Sequence, residues 1–241
     1  MIGDKLKLQG RVRVWKYDGQ SGFLLSDEKY ENTATDWARA VLAQLLITPP
    51  NSENTLLSQS RPLYIALGTG TQTPSRTDCN MFAESYSTRK AISYTSAFQA
   101  YVAQMTVNYQ TTDPNGTFFE AGLWDSNVST TSLAANVAAG ATSISVPSTA
   151  PAVQGSTTPG QYTTIYISDG ANSEYASIAT STSAGATTWQ LQSGLKYAHN
   201  NGVAITAFTG NLFAHVKFSG AGETKGTGQA LVVQWSMYVD V

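Results

Sequence analysis

The sequence predicts a mainly β protein: an α+β host with one clear helix, built like a β-sandwich, carrying an inserted small all-β domain. Three observations lead there. Apolar and polar residues alternate through Lys5 to Trp15 and again through Gln229 to Val239, the period-two spacing of a strand with one face in a core. One segment, Trp37 to Leu46, stands out for apolar residues at helical spacing. Finally, Thr117-Phe-Phe-Glu-Ala-Gly-Leu-Trp124 reads as a strand whose partner comes only at Asn211-Leu-Phe-Ala-His-Val-Lys-Phe218, after a charge-poor stretch rich in Ala, Ser, Thr and Gly. Without that stretch the two strands would be joined by a short turn, as antiparallel neighbours usually are. The expected domains are therefore a discontinuous host, 1–130 with 210–241, and an insert, 131–209, forming a small β-sandwich or barrel.

In chain order, Leu6, Leu8, Val12 and Val14 form the inner face of the first strand, and Lys5, Lys7, Gln9, Arg11 and Arg13 its solvated face. Charges there discourage unwanted edge pairing. Turns at Asp18-Gly19 and Ser21-Gly22 precede a short apolar segment, Phe23-Leu24-Leu25. The helix is capped by Thr33 or Thr35, has Asp36 where the helix dipole favours a carboxylate, and presents Trp37, Val41, Leu42, Leu45 and Leu46 as a core stripe. Pro49-Pro50 ends it. A polar loop, 51–60, leads to a buried strand, Arg61 to Leu67. Gly68-Thr-Gly-Thr-Gln-Thr-Pro-Ser75 then follows without the Gly-Lys-Ser/Thr ending or the helix start of a nucleotide loop, so its glycines are read as turn geometry. Both a short helix and an irregular strand fit Met81 to Arg89. Tyr94 to Asn108 is one long strand or two bent at Ala100, and Asp113-Pro-Asn-Gly116 turns the chain into the Phe118 strand.

Five short strands are expected in the insert: Ala141 to Val146, Tyr162 to Ile167, Glu174 to Ala179, Thr187 to Leu191 and Val203 to Phe208. Asp169-Gly170 and Ala184-Gly185 mark two hairpins. The final strand, Gln229 to Val239, alternates Leu231, Val233, Trp235 and Met237 against Val232, Gln234, Ser236 and Tyr238. A strand of that quality should be paired centrally or with a neighbouring copy.

Composition narrows the function classes. Only 12% of residues are charged, about half the roughly 25% usual for soluble domains, and uncharged polar residues make up the difference. Such a surface suits contact between copies, since little charge is desolvated. A net charge of −2 supplies no general attraction for phosphate backbones, which sets nucleic acid aside. Cys79, the single cysteine, has no internal disulfide partner and reads as a structural thiol. Met1 leads into Asp4-Lys5-Leu6-Lys7 without an apolar segment, so synthesis in the cytosol is expected. No window reaches the roughly 20 apolar residues of a membrane helix.

Several stretches together resemble tail and appendage structural proteins of tailed bacteriophages. In the host these are Tyr64-Ile-Ala-Leu-Gly-Thr-Gly70 with Thr73-Pro74 and the downstream Glu84 and Arg89, then Phe119 to Trp124, Leu212 to Phe218, and Leu231 to Tyr238, in that order. In the insert, Ala139 to Val146, Ser173-Glu-Tyr-Ala-Ser177 and Gly194-Leu-Lys-Tyr-Ala-His199 are similar to a small β-domain recurrent in phage virion proteins. The resemblance implies a virion protein in the tail, baseplate or neck, with three or six copies in a cyclic homo-oligomer bound to other tail or neck proteins.

The expectation for chemistry is no catalytic, cofactor-binding or metal-binding residue, and no enzyme activity. The two histidines, His199 in a turn and His215 between Ala214 and Val216 in a strand, read as satisfied structural side chains. Their spacing describes no zinc site. Glu84, Glu120, Asp125, Glu174 and Glu223 are dispersed, and the turns at Asp113, Asp125 and Asp169 lack the dense spacing of a calcium loop. Two alternatives stand beside the virion scaffold: a host-surface glycan-binding module using Tyr162, Tyr166, Tyr175, Trp189 and Tyr197, and a capsid decoration protein.

Overall fold

A computed structural model describes residues 7–47, 61–94 and 102–240. The expectations for Lys5, Leu6, Pro49-Pro50, the loop 51–60 and the bend at Ala100 lie outside the described residues. The chain divides into two compact units, Met1–Asp125 with Asn211–Val241, and Ser126–Gly210. The first unit opens with β1 (Lys7–Asp18), β2 (Leu24–Glu31), β3 (Thr33–Ala34), α1 (Asp36–Ile47), β4 (Tyr64–Gly68), β5 (Lys90–Ala91), β6 (Ser93–Tyr94), β7 (Val102–Tyr109), β8 (Gly116–Phe118) and β9 (Glu120–Trp124). The second holds β10 (Ser129–Ser132), β11 (Ser143–Ser145), β12 (Thr164–Ser168), β13 (Glu174–Ser177), β14 (Thr188–Gln190) and β15 (Ala204–Ala207). The first then resumes with β16 (Leu212–Lys217), β17 (Glu223–Lys225) and β18 (Gln229–Asp240).

The first unit is mainly β, with two five-stranded antiparallel sheets ordered β2-β1-β18-β7-β6 and β3-β16-β9-β4-β5. They share one core. Val12, Val14, Met105, Val107, Leu231, Val233 and Trp235 come from the first sheet, and Ile65, Leu67, Ala121, Leu123, Ala214 and Val216 from the second. Each set is every second residue of its strand, the pattern that a sandwich imposes. The Tyr109 hydroxyl donates to the Ile65 carbonyl at 3.0 Å, a polar tie between the sheets. Ala38 and Val41 of α1 join this core. Thr35 is the cap: its Oγ1 accepts from the Ala38 amide at 3.3 Å.

The C-terminal strand is central. All twelve residues of β18 pair with β1, and its other edge pairs with β7. The first of the two expected outcomes, central pairing, is thus the one observed, and neither β1 nor β18 keeps a free ladder edge along its paired length. The outer strands of this sheet among the described residues are β2 and β6. β2 extends well past Phe23-Leu24-Leu25 because its polar remainder, Ser26 to Glu31, is an edge laced to β1 by Arg13–Asp27 and Arg11–Glu31 ion pairs. Met81 to Arg89 is neither helix nor ladder strand; Glu84 alone bridges to Gly68.

β9 and β16 are adjacent antiparallel strands, with Leu212 opposite Trp124. A bulge between Leu212 and Ala214 makes Phe213 an extra residue, which lets Phe213 and Ala214 both reach the core. Where the chain leaves and re-enters, Asn211 donates to both Asp125 carboxylate oxygens, from its amide at 2.8 Å and its side chain at 2.6 Å.

The second unit has a four-stranded sheet, β10-β15-β12-β13, and a two-stranded one, β11-β14. Neither closes into a barrel, so that alternative is set aside. Ile144 and Trp189 from the small sheet pack with Ile165, Ile167, Ala176, Ile205 and Ala207 from the large one. Its first strand, β10, starts at Ser129, so the unit begins before residue 131; β10 went unread because Ser-Thr-Thr-Ser has no apolar alternation. Asp169-Gly170 joins the β12–β13 hairpin. Ala184-Gly185 is a turn with Gly185 at φ +85°; the segments it joins meet antiparallel only through the Ile178–Leu191 bridge, while the ladder of β14 is with β11.

Candidate functional site

Ionisable groups collect on the second sheet of the first unit, on the face turned away from the sandwich core. Alternation sends Ala121 and Leu123 inward and leaves Glu120, Gly122 and Trp124 on the other side. On β16 it leaves His215 outside, between Ala214 and Val216. His215 stands opposite Gly122, and Glu120 two residues along the same strand, opposite Lys217, so His215 and Glu120 are diagonal neighbours on one face. The segment from Thr69 to Arg89 lies over this face and supplies Asp78, Met81, Phe82, Glu84 and Arg89 as buried residues.

His215 is fully buried between two carboxylates, with Nδ1 2.9 Å from Asp78 Oδ2 and Nε2 2.7 Å from Glu120 Oε2. The Phe82 ring packs 4.8 Å from the imidazole. Glu120 also accepts three backbone amides, from Gly70 at 3.1 Å, Phe82 at 3.1 Å and Ala83 at 2.7 Å. Asp78 accepts the Ser75 amide at 2.8 Å. Burial by itself pulls the His215 pKa down, but the hydrogen bonds and charges of Asp78 and Glu120 outweigh it and hold the pKa above the ordinary histidine value. Chemically the cluster can hold a proton, and mechanically it fastens the covering segment to the sheet.

A second fastener lies beside it. Arg89 meets Glu84 through two parallel bonds, 2.9 and 2.6 Å, both side chains being buried, and its guanidinium lies 3.9 Å over the Trp124 ring. Burial outweighs Arg89 in setting the Glu84 carboxyl, whose pKa is raised. Thr88 Oγ1 donates to the Leu67 carbonyl at 2.8 Å and accepts the Leu67 amide at 3.1 Å.

Gly68 and Gly70 are not turn residues in the sense expected, for neither has a positive φ. They are glycine for space. A Cβ on Gly68 would lie 2.5 Å from both the Ala83 carbonyl oxygen and Glu120 Oε1, and one on Gly70 would lie 2.6 Å from Glu120 Oε1. A loop that resembled a phosphate cradle thus closes around the protein's own carboxylate.

The second unit repeats the arrangement. His199 is buried with Nδ1 2.9 Å from Asp169 Oδ2 and Nε2 2.8 Å from Glu174 Oε1. Glu174 accepts the amides of Lys196 and Tyr197 at 2.7 and 2.9 Å. Burial tends to raise its pKa, and these hydrogen bonds with the His199 interaction bring it below the ordinary value. Both histidines therefore sit where a structural reading puts them, but their partners were not read from the sequence. The available signal was Glu120 alone in an apolar strand, which demands a buried donor.

The turn aspartates considered for calcium are each engaged by protein donors: Asp113 by Lys90 Nζ and the Gln110 amide, Asp125 by Asn211, and Asp169 by His199. Among the described residues no group of three or more His, Cys, Asp or Glu is placed to hold a metal ion. Of the five aromatics considered for sugars, Trp189 is core. Tyr175 is 48% exposed and pairs across the strands with Tyr166 at a ring separation of 4.9 Å. Tyr162 and Tyr197 are half-buried. No protein-family model matches the chain, and no curated protein matches it.

Proposed function

We propose that this chain is a structural protomer of a bacteriophage virion, set in the tail, baseplate or neck, where it assembles with copies of itself into a symmetric oligomer and attaches to other virion proteins. The observation that carries the reading is how buried ionisable groups are used: Asp78 of the covering segment is tied through His215 to Glu120 of the sheet, and Arg89, paired with Glu84 within that segment, stacks on Trp124 of β9. That use of polar groups favours a rigid part over a reactive cleft. The low charge density and the resemblance to phage appendage proteins support it further. Closed rotational symmetry follows because a contact that closes leaves no surface to grow fibres.

The test is to purify particles made from the genome that encodes the chain, quantify the chain by mass spectrometry and locate it with antibody-labelled electron microscopy. A copy number in multiples of three at the tail or neck is expected. Particles that lack the chain refute the reading. The exposed Tyr175 beside Tyr166 favours one second reading, a host-surface glycan module. Binding of the full chain on a glycan array, lost in Tyr175→Ala, would establish it.

A further inference from the structure

Lys225 is a buried cation that, among the described residues, is held by neutral oxygens. It lies on β17, paired with Gly116 of β8, and is 1% exposed. Its Nζ donates to the Asp113 carbonyl at 2.9 Å and to Asn115 Oδ1 at 2.8 Å. The other cations drawn into the first unit meet carboxylates: Arg89 meets Glu84, Lys16 meets Glu223 and Lys90 meets Asp113. Asp113 is the carboxylate whose charge reaches Lys225, yet its Oδ2 is occupied by Lys90 Nζ at 2.5 Å and the Gln110 amide at 2.6 Å.

A buried ammonium with neutral partners gives up its proton more readily than an exposed one. Burial pulls the Lys225 pKa below the ordinary lysine value, and the charge of Lys90 acts in the same direction, against Asp113. The free amine is a nucleophile. What it touches is an electrophile, the side-chain amide of Asn115, whose carbon lies one bond beyond the oxygen that Nζ already holds. A turn of the amide about its Cβ–Cγ bond presents that carbon to Nζ. The far end of the amide is also engaged, Nδ2 donating to Thr227 Oγ1 at 3.3 Å. Asn115 and Thr227 are exposed while Lys225 is buried, so the leaving nitrogen has water beside it and the attacking one is shielded. Proximity of this kind replaces a bimolecular encounter and reaches effective concentrations of about 10⁵ M or more.

We propose that Lys225 and Asn115 become joined by an isopeptide bond that the folded protein forms by itself. Lys225 sheds its ammonium proton to water, and the free Nζ attacks Asn115 Cγ. The Nζ–Cγ bond forms and the Cγ–Nδ2 bond breaks. One Nζ hydrogen passes to the departing nitrogen, which leaves as ammonia on the exposed side. The atoms balance with no oxidant, reductant or co-reactant. The product is a neutral secondary amide, so the reaction removes a charge from a buried place. The two residues are 110 apart in sequence, on either side of Ser126–Gly210, so the bond closes a covalent loop that contains the whole second unit. It ties β8 to β17 where only three residue pairs do so now. This cross-link is independent of the assembly reading.

The experiment is intact-mass spectrometry of the full chain under denaturing conditions, with tandem sequencing of its tryptic peptides. A mass lower than that of the sequence by one ammonia is expected, with a branched peptide that joins the segments holding Asn115 and Lys225 and no tryptic cleavage after Lys225. Asn115→Ala and Lys225→Arg should both keep the full mass of their sequences. Asn115 is exposed, so circular dichroism serves to confirm that Asn115→Ala folds as the wild type does, and it should unfold at a lower temperature than the linked chain. A folded wild type that keeps its full mass through prolonged incubation at mildly alkaline pH overturns the proposal. Loss of ammonia that persists in Lys225→Arg also overturns it, since that marks a succinimide closed by the Gly116 nitrogen. Conversion of Asn115 to Asp in the wild type, without a branched peptide, overturns it in favour of hydrolysis. Each of these results leaves the assembly reading standing, which only the absence of the chain from particles refutes.

Discussion

Replacing His215 by Ala removes the one group that bridges Asp78 and Glu120. Two charge-assisted hydrogen bonds disappear from a buried site, each worth about 1.5–3 kcal/mol. Glu120 keeps its three backbone donors and Asp78 keeps the Ser75 amide, so the expected loss is toward the lower end of the sum, about 3–4 kcal/mol. For a unit of this size that lowers the melting temperature by roughly 10 °C. The pH dependence gives the loss a signature. Because the folded-state pKa of His215 is raised, its stabilisation is complete below the ordinary histidine value of about 6.5 and is lost as pH rises through the folded value. Calorimetry of wild type and His215→Ala from pH 6 to pH 9 should therefore show a gap that narrows with rising pH. Amide exchange at Gly70, Phe82 and Ala83 should quicken in the variant, since their common acceptor loses its partner. A gap that is constant with pH, or smaller than about 1 kcal/mol, would refute the fastening role.

Gly70→Ala should destabilise the first unit by about 1–3 kcal/mol in urea titration, because the new methyl overpacks against Glu120 and Phe82. Glu174→Gln should cost the second unit about 1 kcal/mol at neutral pH. The pKa of Glu174 is lowered, so its contribution is present above the ordinary carboxyl value and fades as pH falls through the folded one; amide exchange at Lys196 and Tyr197 reports it. Deleting residues 126–210 and joining Asp125 to Asn211 by a short Gly-Ser turn should leave a first unit that unfolds cooperatively, as β9 and β16 already pair at that point. Loss of its near-ultraviolet circular dichroism would contradict this.

What could be read from the sequence was what alternation encodes. Val12 and Val14, Leu231, Val233 and Trp235, and Val41 in the helix all report their core face through period alone, whereas Ala38, equally buried, was not in the expected stripe. β2 and β10 were opaque for the opposite reason: their residues are polar, and they are strands because a neighbour pairs with them. The fastening cluster was half legible. His215 and Glu120 stand out as polar residues in apolar strands, but Asp78 comes from an irregular loop whose position no local pattern specifies. The glycines at 68 and 70 announced themselves by type and were misread in purpose, since space for a distant side chain leaves no mark nearby.

The placement of β18 also sets a timetable. Val12 and Val14 emerge from the ribosome long before their ladder partners Trp235 and Val233, so β1 waits through the synthesis of everything between them with its apolar side uncovered. Residues 126–210 draw their contacts mostly from within themselves and can condense during that interval. The sandwich can close only when residues 229–240 have cleared the exit tunnel. Long-range pairing of this kind folds slowly and exposes edges meanwhile. A ribosome stalled before Gln229 should thus hold a nascent chain in which residues 126–210 are compact while β1 is protease-sensitive and chaperone-binding.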